Sequence, residues 1–320
     1  MTGTHPRRVI LDTDPGIDDA LAILLALASP EIDLAALTVV HGNCPLEDAL
    51  ANALSVLHLG GATGLPVAAG CDRPLLRDPV TALDTHGGRG LGYATLPPSP
   101  AAPVAEHAVD LLIREIMAAP GEVTLVAVGP LTNVALALRK EPRLASAVAD
   151  CIFMGGAVRA DGNITPLAEF NVYADPHAAK IVLESGMPIT LMPWDITKDV
   201  RLSKTEVDRL LERGGPIPAF IADATRFYIE FHLAHFGWAG CSINDPAALA
   251  LAWWPELART RPLHVAVETG SELTMGKTVG DFMGVTGRAP NVRLVEAFDG
   301  EEFVRRFVAR MEALVERAGA

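Results

Sequence analysis

Apolar residues fall in short unbroken runs along this chain, at Arg8–Leu11, Leu34–Val40, Val123–Val128, Cys151–Met154 and Pro188–Met192. None of these runs alternates with polar residues, which is the pattern of strands covered on both faces. Between them lie longer stretches of helical character, at Asp18–Ala28, Leu46–Leu59, Val104–Ala118, Leu131–Leu138 and Pro176–Glu184. Strand and helix in turn imply right-handed crossovers, hence a single α/β domain with a mainly parallel central sheet flanked by helices, a Rossmann-like core. The Pro-rich stretch Pro97–Pro100 reads as a loop. A second loop, Gly214-Gly215-Pro216-Ile217-Pro218, introduces a helical region from Phe220 to about Trp254. Leu263–Glu268 reads as a late strand and Glu301–Arg317 as a closing helix.

In an open parallel sheet, ligands bind at the carboxyl ends of the strands. The first strand here runs into Asp12-Thr-Asp14-Pro-Gly-Ile-Asp18-Asp19, and the second ends at His41-Gly42-Asn43. The third ends at Val128-Gly129-Pro130-Leu131-Thr132-Asn133, and the fourth at Met154-Gly155-Gly156, followed by a polar loop to Asn163, Glu169 and Asn171. The fifth ends in Trp194-Asp195. One rim of the sheet therefore collects carboxylates, carboxamides and glycines.

Composition narrows the partners. The chain has 320 residues, 50% of them hydrophobic, enough for a large core, and a formal net charge of −13. That charge argues against a nucleic-acid backbone or an anionic membrane surface. The longest apolar run, Ala20–Ala28, is too short to span a bilayer, and the N-terminus carries no secretory apolar region. Cys44, Cys71, Cys151 and Cys241 are scattered, as reduced thiols of a cytoplasmic protein would be.

Four aspartates at one strand end need a reason, because like charges at this spacing repel. Helix capping accounts for part of it: Asp14 would be the N-cap, Pro15 the first helical residue, and the following acids would favour the positive helix end. Capping does not require four carboxylates. A bound hard cation relieves the repulsion most simply, and oxygen-only ligands suit calcium or magnesium. An EF-hand is excluded, since Gly16 comes one place too early and no Glu stands twelfth. Asp245, in Ile243-Asn244-Asp245-Pro246, is a natural distant ligand.

The stretch D-T-D-P-G-I-D-D-A at this position resembles the signature of the nucleoside hydrolases, the inosine–uridine-preferring family. The likeness continues in the family's order through His41-Gly42-Asn43, His86–Gly92, Gly129–Asn133, Met154–Gly156, Ala168–Asn171 and Asn244–Pro246, covering essentially the whole chain. It implies the nucleoside hydrolase fold and calcium-dependent hydrolysis of the N-glycosidic bond of ribonucleosides, as in nucleoside salvage. Carried over by motif position, Asp14, Asp19, Asp245 and the carbonyl of Val128 would hold Ca2+, and Asp14 would take the proton of the attacking water. Asp18, Asn43, Asn163, Glu169 and Asn171 would hold ribose hydroxyls, with Met154 packed near the sugar. Family members are commonly homodimers or homotetramers. The chemistry suits these residues, because bond cleavage builds positive charge on the sugar that carboxylates and amide oxygens stabilise.

The chain departs from the family where the base should leave. Many members have a proton-donating His before the last metal aspartate, and this chain has Asn244; the usual Tyr at 232 is His232. The leaving-group acid is therefore expected at His232 or at His86, which lies in a glycine-rich stretch; the alternative is that Asn244 only hydrogen-bonds the base and the substrate carries a better leaving group. Residues 84–103 suit a mobile loop over the base, with 214–227 closing from the other side. Phe227, Phe231 and Phe236 read as core or subunit-interface residues, and Trp253 and Trp254 as structural. Two other functions are weighed. A dehalogenase-type phosphatase also places D-x-D after a strand, but expects Gly-Thr next, and extra acids would repel phosphate. A non-catalytic nucleoside- or calcium-binding protein would not need both Asp14 and the sugar set. Gly276-Lys277-Thr278 resembles the end of a P-loop, yet Ser271 stands where glycine is required.

Overall fold

The computed structural model describes residues 6–62 and 64–319. Residues 1–5, part of the stretch read as lacking a secretory segment, lie outside the described residues.

The non-alternating apolar runs become strands because both of their faces are covered. Strands β1 (Arg7–Thr13), β2 (Ile32–Val39), β3 (Val67–Ala69), β4 (Val123–Ala127), β5 (Asp150–Met154) and β6 (Ile189–Met192) pair in parallel in the order β3-β2-β1-β4-β5-β6. Along β1, Val9 and Leu11 face one core while Ile10 faces the other, and β4 divides Val126 from Leu125 and Ala127 in the same way.

The first core is closed by α1 (Ile17–Ala28), α2 (Leu46–Leu59) and later helices. The second is closed by α4 (Ala108–Ala118), α5 (Thr132–Lys140) and α8 (Pro176–Leu183). Four short helices lie between the main elements: α3 (Leu83–His86), α6 (Leu144–Ala147), α7 (Phe170–Ala174) and α9 (Trp194–Thr197). The strand order reverses between β1 and β4, and at such a switch point the crevice outside the strand ends is open to ligand.

The second half departs from the expected elements. The expected helical region from Phe220 to Trp254 breaks into α11 (Pro216–Phe236), β8 (Gly240–Ser242) and α12 (Asn244–Ala250). The break falls at Gly237, whose φ of +71° is a left-handed helix stop favourable to glycine. The stretch 214–227, expected to be a loop, is helical from Pro216 onward. Pro216 and Pro218 fit there because N–H groups of a helix's first turn have no intrahelical acceptor. The late strand expected over Leu263–Glu268 is divided at His264. Its first residue ends β9 (Ala258–Leu263), while β10 (Val265–Val267) pairs instead with β11 (Thr278–Gly280). Helix α4 starts at Ala108 rather than Val104, which forms a bridge with Ala68.

Strand β12 (Val292–Phe298) joins the sheet parallel to β6 and pairs antiparallel with β9. The remaining elements are β7 (Arg201–Ser203), paired with β8, then α10 (Lys204–Leu211) and the closing α13 (Gly300–Gly319). Among the described residues, no helix is long and apolar enough to cross a membrane.

Candidate active site

The turn from β1 to α1 is shaped by its own acids. Gly16, not Asp14, is the residue before the helix, and the cap comes from Asp19 reaching back. The Asp19 carboxylate accepts from the Thr13 hydroxyl (2.5 Å), the Gly16 N–H (3.0 Å) and the Asp14 N–H (3.2 Å). Asp14 is thereby spared the capping role expected of it. Glycines leave the room it needs: a Cβ on Gly42 would lie 1.9 Å from Asp14 Oδ2, and one on Gly129 2.5 Å from Oδ1. The ends of β2 and β4 thus close on the Asp14 side chain from two sides.

Asp14 is fully buried. Its Oδ2 accepts the Asn43 N–H at 2.7 Å, while Oδ1 has no hydrogen-bond partner among the described residues. Asn43 donates its side-chain amide to Asp19 at 2.9 Å. Helix α12 packs on α1 and brings in Asp245, so that carboxylate oxygens of Asp18, Asp19 and Asp245 lie within 4.8 Å of one another. The tight trio contains Asp18, expected on the ribose, and does not include Asp14, whose Oδ2 accepts the Asn43 N–H.

Burial, followed by repulsion from Asp19, pushes the Asp14 carboxyl well above its usual range. Burial and then Asp18 do the same to Asp245, and Asp18 is raised to about 7 by burial and Asp19. Buried carboxylates are stable as anions only when paired or bound to a metal. The arrangement of oxygen donors with an unpartnered carboxylate oxygen fits a hard divalent cation. The Val128 carbonyl, just past β4, borders the same pocket and accepts the Asn171 amide at 2.7 Å.

The next wall comes from the loop after β5. Glu169 caps α7, accepting from the N–H groups of Asn171 (2.8 Å), Gly156 (2.7 Å) and Val172 (3.3 Å). Burial nevertheless raises its carboxyl to about 7. Asn163 accepts the Phe170 N–H at 2.9 Å, and Asn171 also donates to the Met154 carbonyl at 3.1 Å. Asp18, Asn43, Met154, Asn163, Glu169 and Asn171 all line one pocket together with His86, Val128, His232, Asn244 and Asp245. Residues far apart in the chain are therefore brought together, with Asp14 and Asp19 among the carboxylates at the same strand end.

One wall of the pocket is aromatic, and it includes residues not expected there from the sequence. Trp194, Tyr228, Phe231 and Phe236 line the pocket, although Phe231 and Phe236 had been read as core or interface residues. The available signal was spacing, since Tyr228 and His232 lie one turn apart on α11 and so share a face. Their rings are 4.4 Å apart, and His232 stacks on Trp238 at 5.4 Å. Trp253 and Trp254 pack on each other away from the pocket.

His232 Nδ1 lies 2.7 Å from the Tyr228 carbonyl, to which it can only donate, so Nε2 accepts from the Ser242 hydroxyl at 2.9 Å. Burial lowers its pKa to about 4. His86 Nδ1 accepts the Ile17 N–H at 3.1 Å, and burial, then His232, lowers its pKa to about 3. Both rings are neutral near pH 7. Asn244 Nδ2 donates to Asp18 at 2.9 Å and to the Tyr228 oxygen at 3.5 Å, and its buried Oδ1 has no partner among the described residues.

A profile of the family described as "Inosine-uridine preferring nucleoside hydrolase" matches residues 9–305. The chain is 40% identical to the pyrimidine-specific ribonucleoside hydrolase RihA of Citrobacter koseri, over 95% of this chain and 97% of that protein. Among solved structures it is similar to a purine-preferring ribonucleoside hydrolase from Gardnerella vaginalis, with a TM-score of 0.93, 32% identity, and coverage of 97% and 100% of the two chains. A plant nucleoside hydrolase, PpNRh1, matches with a TM-score of 0.90 and 33% identity over 96% of this chain and 99% of its own.

Proposed function

Since this chain belongs to the inosine-uridine preferring nucleoside hydrolase family and is a ribonucleoside N-glycosidase, we propose that it cleaves its substrate with Asp14 as general base and with calcium held by Asp14, Asp19, Asp245 and the Val128 carbonyl. The observation that carries this reading is Asp14 itself, buried at the switch point with one carboxylate oxygen free. A divalent cation there would neutralise the acids and lower the pKa of a coordinated water.

The chain's own residues supply the rest. Asp14 takes the proton of the attacking water as oxygen bonds to the anomeric carbon. Asp18, Asn43, Asn163, Glu169 and Asn171 hold the ribose, and their oxygens face the positive charge that builds on the ring as the base departs. The aromatic wall around Tyr228 and Phe236 takes the base. The residues 84–103 carry His86 into the pocket and act as the mobile cover of the site. A homo-oligomeric assembly and a cytoplasmic setting belong to the same proposal, the latter in keeping with the four free cysteines.

A phosphatase is not favoured: among the described residues, the pocket lining includes no lysine or arginine to meet a phosphate. The test is a reducing-sugar assay on inosine and uridine, before and after exhaustive chelation with metal content measured. Ribose release that is lost on chelation and restored by calcium is expected. Full activity in verified metal-free protein overturns the calcium assignment, and no ribose from any of a panel of ribonucleosides overturns the activity.

A further inference from the structure

A purine or pyrimidine anion leaves slowly near neutral pH, and proton donation to a departing group is typically worth roughly 10²–10⁴-fold. The residues expected to provide it here are otherwise engaged. His232 has a hydrogen bond at each ring nitrogen, its Nδ1 hydrogen committed to the Tyr228 carbonyl. His86 uses its Nδ1 lone pair to accept the Ile17 N–H, so a second proton could enter only by breaking that bond. Asn244 carries no titratable proton. Its orientation is set by Asp18, since a carboxylate can only accept and so draws Nδ2 toward itself.

Tyr228 is different. It is buried, lines the pocket, and lies between His86 (ring centroids 5.3 Å apart) and His232 (4.4 Å). Its oxygen accepts from Asn244 Nδ2 at 3.5 Å. A phenol has a single hydrogen, and an oxygen already facing a donor must direct that hydrogen elsewhere. Among the described residues the Tyr228 hydroxyl donates to no acceptor.

We infer that Tyr228 is the catalytic residue that protonates the departing base, and that Asn244 is a positioning residue that ties the phenol oxygen to Asp18. The inference rests on the proposed nucleoside hydrolysis. As the bond from the anomeric carbon to the base nitrogen breaks, its electron pair stays on the base, which takes the Tyr228 proton. The water oxygen bonds to the anomeric carbon and its proton passes to Asp14. The phenolate recovers a proton from solvent as Asp14 releases one, so nucleoside and water become ribose and neutral base.

The experiment compares wild type, Tyr228→Phe and Tyr228→Phe/Asn244→His on uridine, inosine and p-nitrophenyl riboside, whose phenolate leaves without protonation. Wild type tests the underlying activity: if it releases ribose from no nucleoside, the functional reading fails, and the inference with it. Given wild-type activity, Tyr228→Phe should lose about 10²-fold or more in kcat/KM on nucleosides and far less on the phenolic riboside. Placing His at 244 in that variant should recover part of the nucleoside activity, because it supplies a new proton donor. Equal losses on both substrate types would make Tyr228 a wall of the pocket, and unchanged nucleoside activity would remove it from the chemistry. Either result overturns the inference.

Discussion

Asp19 makes more contacts than any other acid of the cluster, and these contacts separate its two uses. It satisfies three donors at the start of α1 and holds the Asn43 amide that in turn borders Asp14. Each buried donor left unsatisfied costs about 1–3 kcal/mol. Asp19→Ala should therefore lower thermal stability and cut kcat/KM by about 10²-fold or more, the scale of losing one preorganised electrostatic group. A melting curve and steady-state kinetics on uridine check the two effects; wild-type kinetics in the folded variant would contradict the site.

His232 gives a prediction in pH. Its folded pKa of about 4 lies below the ordinary value of 6.5, so between these limits the unfolded chain binds the proton and the native chain does not. Its contribution is complete above about pH 6.5 and is lost as pH falls toward 4. Against wild type, His232→Gln should show a flatter loss of stability over that window in urea titrations at a series of pH values.

At the scale of elements, the loop after β5 is held by two complementary charges. Asp195 at the start of α9 accepts the N–H groups of Val158 (2.8 Å), Arg159 (2.6 Å) and Ala160 (3.0 Å). Lys277 donates to the carbonyls of Ala157 (2.7 Å) and Ala160 (3.4 Å) from the turn before β11. The Gly276-Lys277-Thr278 triplet, which resembles a P-loop end in sequence, is thus a strap on the loop that carries Asn163 and Glu169. Thr278 packs over Gly156, whose φ of +78° and lack of a Cβ let the two segments touch. Lys277→Met should raise KM for nucleosides more than it lowers kcat. Adding it to Asn163→Ala should have less effect than it has alone, because both act on one loop. Additive losses would show that Lys277 does not work through Asn163.

For the whole molecule, the strand order matters most. Because β1 lies between β2 and β4, Asp14, Asn43 and Val128 converge although they are far apart in sequence. Helix α12, packed on α1, closes the cluster with Asp245. A cation bound across these segments stabilises only the native chain, by about 2.7 kcal/mol at a hundredfold excess over its Kd. Calcium added to chelated protein should raise the melting temperature in a concentration-dependent manner, and Asp245→Asn should suppress the shift. An unchanged melting temperature in wild type at saturating calcium would count against the site.

Read alone, the chain determined most of the alternation of strands and helices in its first two hundred residues, the short edge strand β3 excepted. Strands covered on both faces carry unbroken apolar runs, a local signature that needs no knowledge of neighbours. It also determined the acidic cluster, since four aspartates lie within eight positions, and the set of polar residues at the other strand ends. What lay beyond it depended on contacts distant in sequence. Strand β12, with Arg293 and Glu296 exposed or half-buried, shows no unbroken run and becomes a strand by fitting between β6 and β9. That Asp14 is left free of the cap and held by Asn43 depends on β2, whose end delivers Asn43 to both Asp14 and Asp19. Tyr228 looked like any helical aromatic. Only the approach of β8 and the start of α12 to α11, which brings Ser242 to His232 and Asn244 to the Tyr228 hydroxyl, decided which of these side chains has a proton left to give.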